Sequence, residues 1–73
     1  MDKQEFINNL KKAMQYSKDI SEETILNSIA EWDSIAVMSV VSMFAEKYSV
    51  TTNYSEIAAM KTVSDLINKV SNK

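Results

Sequence analysis

The sequence predicts an all-α fold, a small four-helix bundle with three longer helices, one short helix and a long first loop. Three observations carry this expectation. Apolar residues recur at three- and four-residue spacing in three separate segments, the period of a helix buried along one side. Asn53 with Glu56, and Thr62 with Asp65, have the spacing of capping boxes, which open helices. The 73 residues, 45% apolar and 25% charged, have the composition of one ordinary globular domain rather than a disordered chain.

The first helix is expected from about Asp2 to Lys18. Phe6, Ile7, Leu10, Ala13 and Met14 share a face, and Lys3, Gln4, Lys11, Lys12 and Gln15 fall elsewhere. Lys11, Lys12 and Lys18 suit the negative end of its dipole, and Lys18-Asp19 ends it. A loop follows from about Asp19 to Asp33. It carries Ile20, Ile25, Leu26, Ile29 and Trp32, more apolar side chains than a solvated loop would hold. It is therefore expected to pack onto the core, with one short helical turn around Leu26 to Ile29.

The second main helix is expected from about Ser34 to Tyr48. Its apolar face is read as Ile35, Met38, Val41, Phe44 and Ala45, with Val40 and Tyr48 beside it. Ala36, Val37, Ser39 and Met43 would then face outward. After a short connection, Ser49 to Asn53, a short helix runs from Tyr54 to Met60. Thr62 opens the last helix, with Val63, Leu66, Ile67 and Val70 as its apolar stripe. The tail from Ser71 to Lys73 is expected to fray.

Composition excludes several function classes. There is no Cys and no His, which removes disulfides, thiolate metal sites, Cys nucleophiles and any His-based triad. No resident metal site is expected. With 8 Lys, no Arg and 10 acids the net charge is −2, so no basic stripe points to nucleic acid. Gly is absent, which rules out phosphate-binding loops, dinucleotide fingerprints and nucleophile elbows; Pro is absent too. Missing Gly, Pro and Arg beside abundant Lys, Asn and Ile suggest an AT-rich bacterial source. With neither a signal peptide nor a membrane-spanning run expected, the default is a cytoplasmic monomer with no membrane insertion. A domain this short buries only roughly 60% of its unfolded surface, which argues against a deep, water-free active site.

Ser34 is the residue of most interest. It follows Trp32 and Asp33 at the mouth of the second helix. It lacks a His base, so it is not a conventional hydrolase nucleophile, and no lysine is marked as a substitute. Two readings stand side by side. Ser34 is a helix N-cap, a common place for serine. Alternatively it is a substrate, where an attached phosphodiester would meet free backbone N–H groups and the positive end of the dipole. Asp33 is an alternative cap, which would leave Ser34 free. Trp32 and Ile35 would anchor the segment in the core.

The Trp32-Asp33-Ser34-Ile35 segment resembles the Asp-Ser-Leu motif of acyl carrier proteins. The resemblance extends over nearly the whole chain. Leu26-x-x-Ile29-x-x-Trp32-Asp33-Ser34 matches the spacing by which the family's first loop enters its second helix. Phe44-x-x-x-Tyr48-Ser49-Val50 resembles the end of that helix, and Thr62-Val63-Ser64-Asp65-Leu66 the start of the last one. The resemblance implies that a phosphopantetheinyl transferase, with Mg²⁺, attaches the 4′-phosphopantetheine arm of coenzyme A to Ser34. Asp33 would help position the metal during loading. The arm's thiol would carry acyl groups as thioesters between acyl-loading and acyl-transferring enzymes, supplying the thiol that the chain lacks. If the cargo folds back into the bundle, Met38, Val41, Ile57, Ala58 and Met60 would line its pocket.

The chain departs from the family pattern in three places. Ala30-Glu31-Trp32 stands where many members have a nearby Gly. Ile35 replaces the usual Leu. The second helix is weakly charged, with only Glu46 and Lys47, where many members are strongly acidic. Partner recognition would then be more apolar than electrostatic, which leans away from general fatty-acid synthesis toward a dedicated pathway. The alternative is an unmodified helical interaction module whose second helix binds a partner.

Overall fold

Apolar side chains from every helix and from the first loop meet in one core, and the way each helix is started and stopped decides which faces they present. The structure, a computed structural model, describes residues 2–71. Helix α1 spans Lys3–Met14, a 3₁₀ turn spans Leu26–Ser28, and α2, α3 and α4 span Ser34–Tyr48, Tyr54–Ala58 and Val63–Ser71. Among the described residues there is no β-strand, only an isolated antiparallel bridge between Ile25 and Thr62. The molecule is the expected small all-α bundle.

Helix α1 begins at Asp2, whose carboxylate accepts from the N–H groups of Gln4 (2.9 Å) and Glu5 (3.3 Å). Phe6, Leu10 and Met14 are its buried stripe. The helix stops at Met14, short of the expected Lys18. Gln15 takes the left-handed conformation (φ 55°), and the N–H groups of Gln15 and Tyr16 turn back onto the carbonyls of Lys12 and Lys11. That closure satisfies last-turn carbonyls and ends the helix without glycine.

The long first loop is held by backbone hydrogen bonds to the start of α4. The Leu26 N–H donates to the Lys61 carbonyl (2.8 Å), Val63 N–H to Thr24 (3.1 Å) and Ser64 N–H to Glu22 (2.9 Å). Leu26 and Ile29 are buried, and Ile20 and Trp32 pack partly against the core. Ile25 is the exception at 50% exposed. Its backbone is extended, so successive side chains alternate; Leu26 takes the inward place and Ile25 points out.

Helix α2 has the expected bounds but a different rotation. Its buried residues are Ala36, Val37, Val40, Met43 and Phe44. Ile35, Met38 and Ala45 are exposed, and Val41 is half-buried. Ala36, Val37 and Met43, expected outside, therefore lie inside. The reason is geometric. Counting back from Phe44 in steps of three drifts about 60° per step, so Ile35 ends up half a turn away. Steps of four and three through Val40 and Val37 stay on the Phe44 side. The rotation is fixed by an aromatic cluster: Phe44 lies 5.9 Å from Phe6 and 6.5 Å from Tyr48, and Phe6 lies 5.6 Å from Tyr48, centroid to centroid. The Tyr48 hydroxyl also accepts from the Asn9 side chain at 3.2 Å, tying the far end of α2 to α1.

Helix α2 ends at Ser49, again left-handed (φ 56°), where the Val50 N–H closes onto the Phe44 carbonyl. Helix α3 opens as expected on Asn53, whose side chain accepts from the Glu56 N–H (2.9 Å). The other half of that capping box is not made. The Glu56 carboxylate instead pairs with Lys69 of α4 at 2.8 Å. Helix α3 ends at Ala58, before the expected Met60. At α4 both halves of the box form: Asp65 N–H donates to the Thr62 hydroxyl (3.3 Å), and the Asp65 carboxylate accepts from Thr62 N–H (3.2 Å) and Lys61 N–H (3.0 Å). Val63, Leu66, Ile67 and Val70 are buried, as the stripe predicts. Ser71 is still helical; Asn72 and Lys73 lie outside the described residues.

The two left-handed residues make a testable claim. A side chain with a Cβ in this conformation costs roughly 1–2 kcal/mol. Glycine removes that cost but gains entropy in the unfolded chain. Ser49→Gly should therefore raise stability by about 0.5–1 kcal/mol in urea denaturation. A lowered midpoint would show that Ser49 does not end α2 in this way.

Candidate functional site

The mouth of α2 is built by a tight descent from the 3₁₀ turn. The Trp32 N–H donates to the Ile29 carbonyl (3.0 Å) and the Asp33 N–H to the Glu31 carbonyl (3.0 Å). Asp33 is then fully extended (φ −117°, ψ −173°), and the chain turns into helix at Ser34. The Asp33 carboxylate accepts from the Ala36 N–H at 2.9 Å, and its backbone carbonyl accepts the first helical bond, from Val37 N–H. Asp33 is thus the N-cap of α2. Ser34 is the first helical residue and does not cap.

That division of labour leaves the Ser34 side chain available. It is exposed, and its Oγ lies 3.2 Å from the Tyr54 hydroxyl at the start of α3; either oxygen can donate. Among the described residues, the N–H groups of Ser34 and Ile35 find no protein acceptor, as expected of a helix's first turn. Trp32 is half-buried against the core and anchors the segment as expected. Ile35 does not: it is 77% exposed, because it sits half a turn from Phe44.

The surface behind Ser34 is apolar and open. Ile35, Met38, Ser39 and Ser42 form, with Ser34, a hollow of about 430 Å³ on the outward side of α2. A tighter cavity of about 220 Å³ lies on the other flank, where Glu31, Asp33, Ile35 and Ala36 face Met14 of α1 and the capping residue Gln15. The outward face of α2 is weakly charged, as expected; of the residues expected there Ser39 lines the hollow, while Ile35, Met38, Ser42 and Ala45 take the places of Ala36, Val37 and Met43.

Of the candidate cargo residues, Val41, Ile57, Ala58 and Met60 lie in or against the core, and Met38 is exposed. Met38 lies on the outward hollow, while Met60 lines a separate hollow of about 570 Å³ between the end of α2 and α4. Ile57 is fully buried, and Val41 and Ala58 are half-buried against the core. Among the described residues no three His, Cys, Asp or Glu side chains are grouped to hold a metal ion. Asp33 keeps one carboxylate oxygen outside the cap, so it can offer one ligand to an ion whose other ligands come from a partner and its phosphates. No helix among the described residues is long and apolar enough to cross a membrane.

Tyr54 is the site residue that sequence reasoning missed. The Asn53 cap marks it as the first residue of α3, just as Asp33 marks Ser34 in α2. Nothing in the sequence says that the two helix starts meet. No family model, curated protein or solved structure matches the chain.

The capping assignment separates two substitutions. Asp33→Ala should cost about 1 kcal/mol of stability, and Ser34→Ala less than about 0.5 kcal/mol, by chemical denaturation. The reverse order would make Ser34 the structural residue.

Proposed function

We propose that this chain is an acyl carrier domain, with Ser34 as the attachment point of a 4′-phosphopantetheine arm. The observation that carries the reading is the exposed Ser34 hydroxyl at the start of a 15-residue helix, relieved of capping by Asp33. Its one side-chain partner among the described residues is the hydroxyl of Tyr54, not an amine or a carboxylate. With no His or Cys in the chain, this serine is suited to being modified by another enzyme rather than to acting alone.

The residues present fit such an arm. Two unpaired N–H groups and the positive end of the α2 dipole favour an anionic phosphodiester at Ser34. The arm, when bound, supplies a thiol for thioester carriage. This chain's residues present the attachment point, keep it in solvent, and offer enzymes the surface around Ile35 and Met38. Those enzymes are a phosphopantetheinyl transferase and cytoplasmic acyl-loading and acyl-transferring partners. An apolar docking face with little charge favours a dedicated pathway over general fatty-acid synthesis, and weak salt dependence of docking.

A second reading, an unmodified interaction module, is favoured by the same exposure of Ile35 (77%) and Met38 (48%). Intact-mass measurement separates the two. After incubation with coenzyme A, Mg²⁺ and a broad-specificity transferase, wild type should gain one arm and Ser34→Ala none. Absence of a mass gain with several transferases would favour the interaction module.

A further inference from the structure

We infer that Tyr54 is a positioning residue for the phosphodiester on Ser34, donating its hydroxyl to a non-bridging phosphate oxygen and turning the arm toward α3. This rests on the carrier reading above. It starts from the 3.2 Å separation of Ser34 Oγ and Tyr54 Oη, across 20 residues of sequence. Both residues stand first in their helices, and both helices are capped by the preceding residue, Asp33 and Asn53. Neither side chain is engaged in holding its own helix start. Tyr54 is also 42% exposed and lies outside the Phe6, Phe44 and Tyr48 cluster, so packing alone does not account for where its ring sits.

Hydrogen-bond arithmetic sets its role. A hydroxyl offers one donor and two acceptor sites. Before loading, either oxygen can donate to the other. In loading, Ser34 Oγ forms a bond to the pantetheine-side phosphorus of coenzyme A. The anhydride P–O bond breaks, adenosine 3′,5′-bisphosphate leaves, and the Oγ proton passes to a base of the transferase. Ser34 Oγ then has no proton to donate, and two non-bridging oxygens sharing one negative charge stand beside it. Tyr54 becomes the donor, in a charge-assisted bond that is shorter and stronger than the one it replaces. The chain has no Arg, and α2 carries its lone Lys at position 47 near the far end, so no cation of α2 competes for this place. Glu31 and Asp33, facing the cavity on the other flank, repel the phosphodiester from that side.

The test uses wild type and Tyr54→Phe, which keeps the ring and removes the hydroxyl. With coenzyme A, Mg²⁺ and the transferase, the variant should load with kcat reduced about two- to tenfold and KM unchanged, since the lost contact is to the phosphate and not to the docking face. The ³¹P resonance of the loaded variant should differ from that of loaded wild type. In wild type labelled at the tyrosine Cζ, the Tyr54 signal should move on loading while those of Tyr16 and Tyr48 stay in place. Identical ³¹P resonances with an unmoved Tyr54 signal would overturn the inference and leave the carrier reading intact. A raised KM with unchanged kcat would make Tyr54 a docking contact and overturn it as well. Wild type that takes no arm overturns both readings. If Tyr54→Phe does not fold, the wild-type Cζ signal decides alone.

Discussion

One hydrogen bond organises the mouth of α2: the Ala36 N–H donates to Asp33 Oδ1 at 2.9 Å. Helix α2 needs something to satisfy its first-turn donors, and the sequence places two competent residues side by side. Because Asp33 takes the task, Ser34 enters the helix with an uncommitted hydroxyl. Had Ser34 been the cap, its oxygen would have been spent on the backbone, and modification would have cost the helix its start. The same bond leaves one Asp33 oxygen outside the cap and Ser34 Oγ facing the Tyr54 hydroxyl.

The cap only has value because α2 is held in one rotation. Phe44 and Tyr48 against Phe6 of α1 set that rotation from the far end of the helix, and Val40 and Val37 carry it along the buried side. The consequence at the near end is an outward Ile35 and Met38, flanked by small serines. Below the site, the hydrogen bonds from Leu26, Val63 and Ser64 lock the first loop to the start of α4. The descent into Asp33 therefore begins from a fixed point and not from a wandering loop. A domain without Gly or Pro manages these tight geometries with left-handed Gln15 and Ser49 and with side-chain caps at Asp2, Asp33, Asn53 and Thr62.

Much of this was legible in the sequence, and the rest was hidden for physical reasons. The bounds of α2, the 3₁₀ turn after Ile25, the Asn53 cap and the stripe of α4 follow from local chemistry, which sequence records directly. The rotation of α2 does not. That helix is apolar almost all round, so two phases satisfy helical periodicity, and only the tertiary contact of Phe44 with Phe6 chooses between them. The early end of α1 depends on Gln15 adopting a conformation that its side chain does not advertise. Glu56 leaves its capping box for Lys69, a partner on another helix. Tyr54 was invisible because its significance lies in a meeting of two helix starts. At the candidate site, Ser34, Asp33 and Trp32 sit where the sequence suggested and Ile35 does not; of the residues considered for cargo, Val41, Ile57, Ala58 and Met60 lie in or against the core and Met38 outside it.

In the proposed carrier, Ser34 is the hydroxyl that receives the arm. Other serines are also exposed, including Ser42 on the same face and Ser55 beside Tyr54. Fragmenting the loaded protein in a tandem mass spectrometer assigns the arm to a residue. The added mass is expected on Ser34 and on no other serine. An arm found on Ser42 or Ser55, with Ser34 unmodified, would contradict that expectation.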